Sequence, residues 1–219
     1  MQKTLSFLKQ LKNNNNKDWF DKNKPDYLGA KEEFEGLVTK VIAGLAKADK
    51  KISPEMKAKD CVFRIYKDVR FSKDKTPYKT NMGASLNPDG RKSLVAGYYL
   101  HVEPGASFLA GGIYMPEPAI LNAVRQEIDY NPKPLLKILS APSFKKYFKG
   151  LDEEDKLKTV PKGFDKNHPQ IELLKHKHFI VVHNLNDKDI LAKDFDKVVL
   201  AGYKAMQPFI EYLRIAAGN

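Results

Sequence analysis

Cysteine is almost missing from this chain. Cys61 stands alone among 219 residues, so no intrachain disulfide can form and no cysteine cluster can hold zinc. No stretch approaches the ~18 consecutive apolar residues of a membrane helix. The opening MQKTLSFLKQLKNNNN has too short an apolar run, and no small-residue cleavage site, for a secretory leader. The signatures of common chemistries are also absent: there is no phosphate-binding P-loop, no G-x-G-x-x-G after a strand, no H-E-x-x-H and no nucleophile elbow. These absences predict a cytoplasmic protein with no membrane contact, no cofactor and no metal centre. Arginine is scarce as well. Of 38 basic residues only Arg64, Arg70, Arg91, Arg125 and Arg214 are arginine.

What is present is lysine and a real core. The formal net charge is +11 and the hydrophobic share is 42%, enough to exclude general disorder. A strongly basic chain raises the question of nucleic acid, since clustered cations displace counterions from phosphate backbones. Dedicated binders, however, favour the arginine fork that matches phosphates and guanine edges. The lysine excess therefore reads as a solvated surface, as does the run Asn13 to Asn16.

The hydrophobic pattern predicts one α+β domain with helices at both ends of a mainly antiparallel sheet. Leu5, Leu8 and Leu11 mark a short first helix. Pro25 suits the first turn of a second, in which Phe34, Leu37, Val38, Val41, Ile42 and Leu45 recur at helical spacing to about Ala48. CVFRI (Cys61 to Ile65) and TNMGASLN read as strands. Ser93 to Val102 and Phe108 to Met115 read as a hairpin around EPGAS, and HFIVVHNL (His178 to Leu185) as a further strand. PEPAILNAVRQEI, NPKPLLKIL, APSFKKYF and HPQIELL are helical, and a last helix runs from about Ala192 with Pro208 expected to kink it. The pair Gly111–Gly112 implies a close backbone approach or a bulge, and HKH (His176 to His178) a solvated turn.

Two segments carry candidate chemistry. In GYYLHVE, alternation puts Tyr99, His101 and Glu103 on one face of a strand and Tyr98, Leu100 and Val102 on the other. A histidine and a glutamate two residues apart can share a ligand or a proton, which makes His101 and Glu103 the candidate acid–base pair. The segment RIYKDVRFSKDKTPYKTNMG, Arg64 to Gly83, packs two arginines, four lysines and two aspartates into twenty residues. If extended, it sets Arg64, Asp68 and Arg70 on one face, where Asp68 would orient a guanidinium towards an anion. Lys73, Lys75, Tyr78 and Lys79 would complete a ligand-binding set with Arg64, Asp68, Arg70 and Tyr99. The bland alternative is a charged hairpin that satisfies itself. Convergence of the two segments on one wall of a cleft is the expectation.

Several blocks together resemble a known family. NNKDWFDKNKPDY, RIYKDVRFSKDKTPYKTNMG, GYYLHVEPG, GGIY and PKGFDKNHPQIELLKHK are similar to successive signatures of a bacterial and fungal family catalogued as domain of unknown function 2461. The resemblance runs from about Thr4 to Leu213. It implies one domain over the whole chain and brings no reaction and no assigned residues. Asn81 stands where the resemblance leads one to expect histidine. Three function classes remain: a cleft binding, and possibly acting on, an anionic phosphorylated or carboxylated small molecule; a nucleic-acid module binding weakly and without specificity; and an interaction protein with no small ligand. A pocket needs a concave cluster, whereas nucleic acid needs a continuous basic track with exposed aromatics. The scarcity of arginine favours the pocket.

Overall fold

A computed structural model of the chain describes residues 1–218. Helix α1 (Gln2–Asn13) buries Leu5, Phe7, Leu8 and Leu11 against α3 (Lys24–Leu45), which turns Phe34, Leu37, Val38, Val41, Ile42 and Leu45 inward. The short α2 (Lys17–Lys22) lies between them. Its first turn is closed by Asn16, whose side chain accepts from the Trp19 amide, a standard answer to the orphan amides of a helix start. Asn15 is occupied as well: it pairs with both backbone groups of Tyr78. Half of the asparagine run is thus structural, where the sequence reading expects a solvated stretch.

Four strands follow in the order β1 (Met82–Leu86), β2 (Gly97–Val102), β3 (Ser107–Ile113) and β4 (Phe179–Leu185), each antiparallel to its neighbour. The expected hairpin is β2–β3. Its turn is closed by the Ala106 amide on the Glu103 carbonyl and by Gly105 at φ +76, a backbone conformation that favours glycine. CVFRI is only partly extended. The chain makes one helical turn, α4 (Ala58–Cys61), and then runs beside β1 through a single bridge from Val62 to Ala84 and a bond from the Phe63 amide to the Gly83 carbonyl.

Between β3 and β4 the chain makes an excursion through α5 (Pro118–Tyr130), α6 (Lys133–Ser140), α7 (Pro142–Lys145) and α8 (Ile171–Leu174). After β4 come α9 (Asp187–Leu191) and α10 (Phe195–Ala216), which remains one helix through Pro208. Helix α10 lies on the sheet where glycine permits it. A Cβ on Gly202 would meet Leu109 at 3.0 Å, and one on Gly111 would collide with the Met206 sulfur. Tyr98, Leu100, Val102 and Leu109 are fully buried on this face, together with Tyr203, Met206 and Ile210 of α10. The core therefore sits on one side of the sheet, and the side chains of β2 with the opposite parity point to the other. No described helix is long and apolar enough to cross a membrane.

Candidate functional site

The second face of the sheet is where polar chemistry gathers. Register places His101 opposite Gly83 on one side and Phe108 on the other, and Tyr99 between Ser85 and Ala110. Gly83 makes room for this arrangement, since a Cβ there would lie 2.6 Å from the Tyr99 hydroxyl. The three side chains expected to share a face form one chain of contacts. The Tyr99 hydroxyl is 3.1 Å from His101 Nδ1, His101 Nε2 is 3.1 Å from a Glu103 oxygen, and the other Glu103 oxygen accepts from Thr80 Oγ1 at 2.8 Å. The imidazole is also stacked on Phe108, 4.5 Å between centroids and 10° between planes.

These contacts set the proton positions. A carboxylate only accepts, so Glu103 selects the tautomer with hydrogen on Nε2 and leaves the Nδ1 lone pair facing the Tyr99 hydroxyl and, at 3.4 Å, the Asn81 amide. Burial, reinforced by the Glu103 charge, pushes the Tyr99 phenol up to about 12, so it stays protonated and donates. The imidazole is therefore held at both nitrogens, by the Glu103 carboxylate at Nε2 and by the Tyr99 hydroxyl at Nδ1. Nδ1 can take a proton once the Tyr99 hydroxyl turns away, and the carboxylate would then steady the cation.

The basic segment behaves differently along its length. It is a hairpin, bridged between Tyr66 and Tyr78 and bonded between Ile65 and Lys79 and between Lys67 and Pro77. At its exposed tip Arg70 grips Asp68 with two bonds, Nε–Oδ1 at 2.9 Å and Nη2–Oδ2 at 2.6 Å. The pair is turned upon itself, and the Arg70 contact holds the Asp68 carboxyl below its usual range. Lys75 donates to the Val69 carbonyl, Lys67 serves Asp74 and Thr76, and Lys73 is exposed. None of the hydrogen bonds or ion pairs of Asp68 and Arg70 reaches Tyr99, His101 or Glu103, so the expected single wall does not form from this end. The segment is not extended there; it turns, and the turn's own carboxylates take up its cations. Tyr78 belongs to the core, stacked on Phe20 at 4.0 Å and 12°.

The root of the hairpin does meet the sheet site. Lys79 lies 5.6 Å over the Phe63 ring, and Phe63 stands edge-on to Tyr99 at 6.2 Å. Burial and the neighbouring Arg64 charge both lower the Lys79 ammonium from its ordinary value. Arg64 itself makes no hydrogen bond or ion pair among the described residues. Phe63, Thr80, Asn81 and Phe108 complete the surroundings; of these the sequence marks only Asn81, as the position where the resemblance leads one to expect histidine. The signal for Phe108 was its place opposite His101 across a short hairpin; Thr80 and Asn81 needed the register of β1, which the sequence does not give.

Other sequence candidates lie elsewhere. His176 and His178 are buried, contrary to the expected solvated turn, because the Arg125 guanidinium holds the His176 carbonyl and Tyr114 packs beside His178. His183 reaches the Tyr147 carbonyl. Among the described residues no group of three or more His, Cys, Asp or Glu side chains is arranged to hold a metal ion. Burial pushes the Cys61 thiol up to about 11, which leaves it unreactive at neutral pH.

Residues 3–212 match the model of the DUF2461 family, described as a conserved hypothetical protein. No curated protein and no solved structure matches the chain.

Proposed function

This chain belongs to the DUF2461 family, and we propose that it binds an anionic small molecule on the outer face of its sheet, where His101 exchanges a proton with it. The observation that carries this reading is the Tyr99–His101–Glu103–Thr80 chain. A polar network outside the core adds little to stability, yet here three side chains on two segments, Tyr99 and Glu103 directly and Thr80 through Glu103, are spent on orienting one imidazole. Lys79 and Arg64 give the surroundings their preference for an anion. The same geometry disfavours a nucleic-acid platform, because His101 and Phe108 stack on each other and so use one face of each ring within the fold. The single, buried Cys61 agrees with a reducing, cytoplasmic setting.

Thermal-shift screening against phosphorylated and carboxylated small molecules tests the reading. Ligands that raise the melting temperature of the wild type should do so less in Lys79→Ala and His101→Ala, and equally in the remote Lys166→Ala control. His101→Gln, which keeps a polar side chain of similar reach without a basic nitrogen, should lose as much of the shift as His101→Ala. Identical shifts in the wild type and both site variants across the panel would refute the proposal.

A further inference from the structure

On the other side of Asn81 lies a cleft of about 250 Å³ between α3 and the Val62–Ile65 stretch. Its charged lining is Lys31, Lys59, Arg64 and Arg91 against Glu35. These cations are not equivalent. Lys31 is neutralised by Glu35 at 3.0 Å. Arg91 is fixed but not neutralised: one of its nitrogens donates to the carbonyls of Lys59 and Asp60 at 3.0 and 2.9 Å, which orients the guanidinium without cancelling its charge. Lys59 and Arg64 have no ion pair among the described residues. Asp68 lies within the field of Arg64, but both of its oxygens are already engaged by Arg70. Three positive charges thus face one small space without a counter-charge.

We infer that this cleft is the subsite for the anionic group of the ligand, and that the group is the dianion of a phosphate monoester whose second polar end reaches His101. The inference rests on the reading of the preceding subsection. Charge selects the dianion, since a lone carboxylate would leave two of the three cations uncompensated, while a phosphate offers several oxygens to a guanidinium fork. Size limits the rest. Pockets for drug-sized ligands hold ~300–1,000 Å³, so this one takes a phosphoryl group and a short stem against the apolar wall of Val62, Ile65 and Met82; a polymer or a whole nucleotide does not fit within it. Asn81 supplies the connection, because it lines the cleft and its amide also lies 3.4 Å from His101 Nδ1. A ligand seated at Arg64 that displaces both the Asn81 amide and the Tyr99 hydroxyl from Nδ1 meets the lone pair of His101.

Calorimetric titration with inorganic phosphate and with glycerol 3-phosphate separates the two claims. Arg64→Ala, at an exposed position where folding is not at stake, should weaken both probes at least tenfold. His101→Ala should weaken glycerol 3-phosphate and leave inorganic phosphate unchanged. If Arg64→Ala binds both probes like the wild type while His101→Ala does not, the cleft assignment is overturned and the proton-transfer reading survives. If Arg64→Ala loses both probes but His101→Ala loses neither, the shared ligand is overturned together with the reading beneath it. Absence of saturable binding to either probe overturns the inference outright.

Discussion

Two arginine–aspartate pairs in this chain have nearly the same contacts and opposite consequences. Arg70 and Asp68 are two residues apart, and their side chains are 76% and 47% exposed; Arg214 and Asp49 are 165 residues apart, and theirs are 5% and 3% exposed. The exposed pair exchanges strong water contacts for a screened attraction and adds little to stability. In the buried pair Arg214 also donates to the Ala96 carbonyl and Asp49 also accepts from Tyr98, so deleting the carboxylate strands a guanidinium and a phenol in the core. Asp49→Ala should therefore cost about 3–5 kcal/mol and Asp68→Ala should leave the urea unfolding midpoint nearly unchanged. Comparable losses would contradict the assignment of burial as the deciding term. The local pair was visible in the sequence and drew attention as a possible site, whereas the long-range pair left no local trace.

At the scale of elements, what was legible followed from periodicity. The β2–β3 hairpin, both long helices and the shared face of Tyr99, His101 and Glu103 came from alternation and helical spacing. What the sequence does not show depends on tertiary register: that the tip of the Arg64–Gly83 segment follows the self-satisfied hairpin and not the convergent wall, that Tyr78 falls on the core side, and that Asn81 reaches His101. Of the two readings of the double glycine, close approach or bulge, the close approach is seen at both positions. Gly112 has φ +133, and a Cβ there would run into the Phe179 carbonyl of β4. Gly112→Ala combines backbone strain with a steric clash and should cost about 2–4 kcal/mol; an unchanged denaturation midpoint would contradict the strand geometry. The excursion between β3 and β4 has its own sensitivity. Burial lowers His176 from 6.5 to about 4, aided by Lys156 and His178 and opposed by Glu153 and Asp152. Folding thus keeps His176 neutral while the unfolded chain protonates near pH 6.5, so this contribution is intact above pH 6.5 and is lost as pH falls towards 4. The loss amounts to roughly 3 kcal/mol. His176→Phe should flatten that part of the stability profile, and an unaltered slope between pH 6.5 and 4 would count against it.

For the whole molecule the net charge of +11 is misleading until the cations are located. Most of the lysine is spread over the surface without an ion pair among the described residues, and a minority is engaged, such as Lys156 with Glu153 and Glu172, Lys175 with Glu172 and Lys177 with Asp155. Of the five arginines, Arg125 and Arg214 are buried, Arg70 is held by Asp68 and Arg91 donates to backbone carbonyls. Among the described residues only Arg64 keeps a guanidinium without a hydrogen bond or ion pair. A protein that reads nucleic acid needs several such forks along one track, with aromatic faces beside them; here the forks are used up inside the fold and the sheet aromatics stack on each other. Binding to oligonucleotides should therefore be the electrostatic kind alone, with a dissociation constant of roughly 10⁻⁴–10⁻⁶ M near physiological salt. It should be indifferent to sequence and fall steeply as salt rises. Arg64→Ala should leave it nearly untouched, because one charge among many contributes little to such an atmosphere, although the same substitution is expected to remove phosphate-ester binding. Fluorescence anisotropy with single-stranded and duplex probes over a salt series reads both quantities. Nanomolar, sequence-dependent binding at physiological salt, or a large loss in Arg64→Ala, would mean that the lysine surface forms a recognition track and that Arg64 belongs to it.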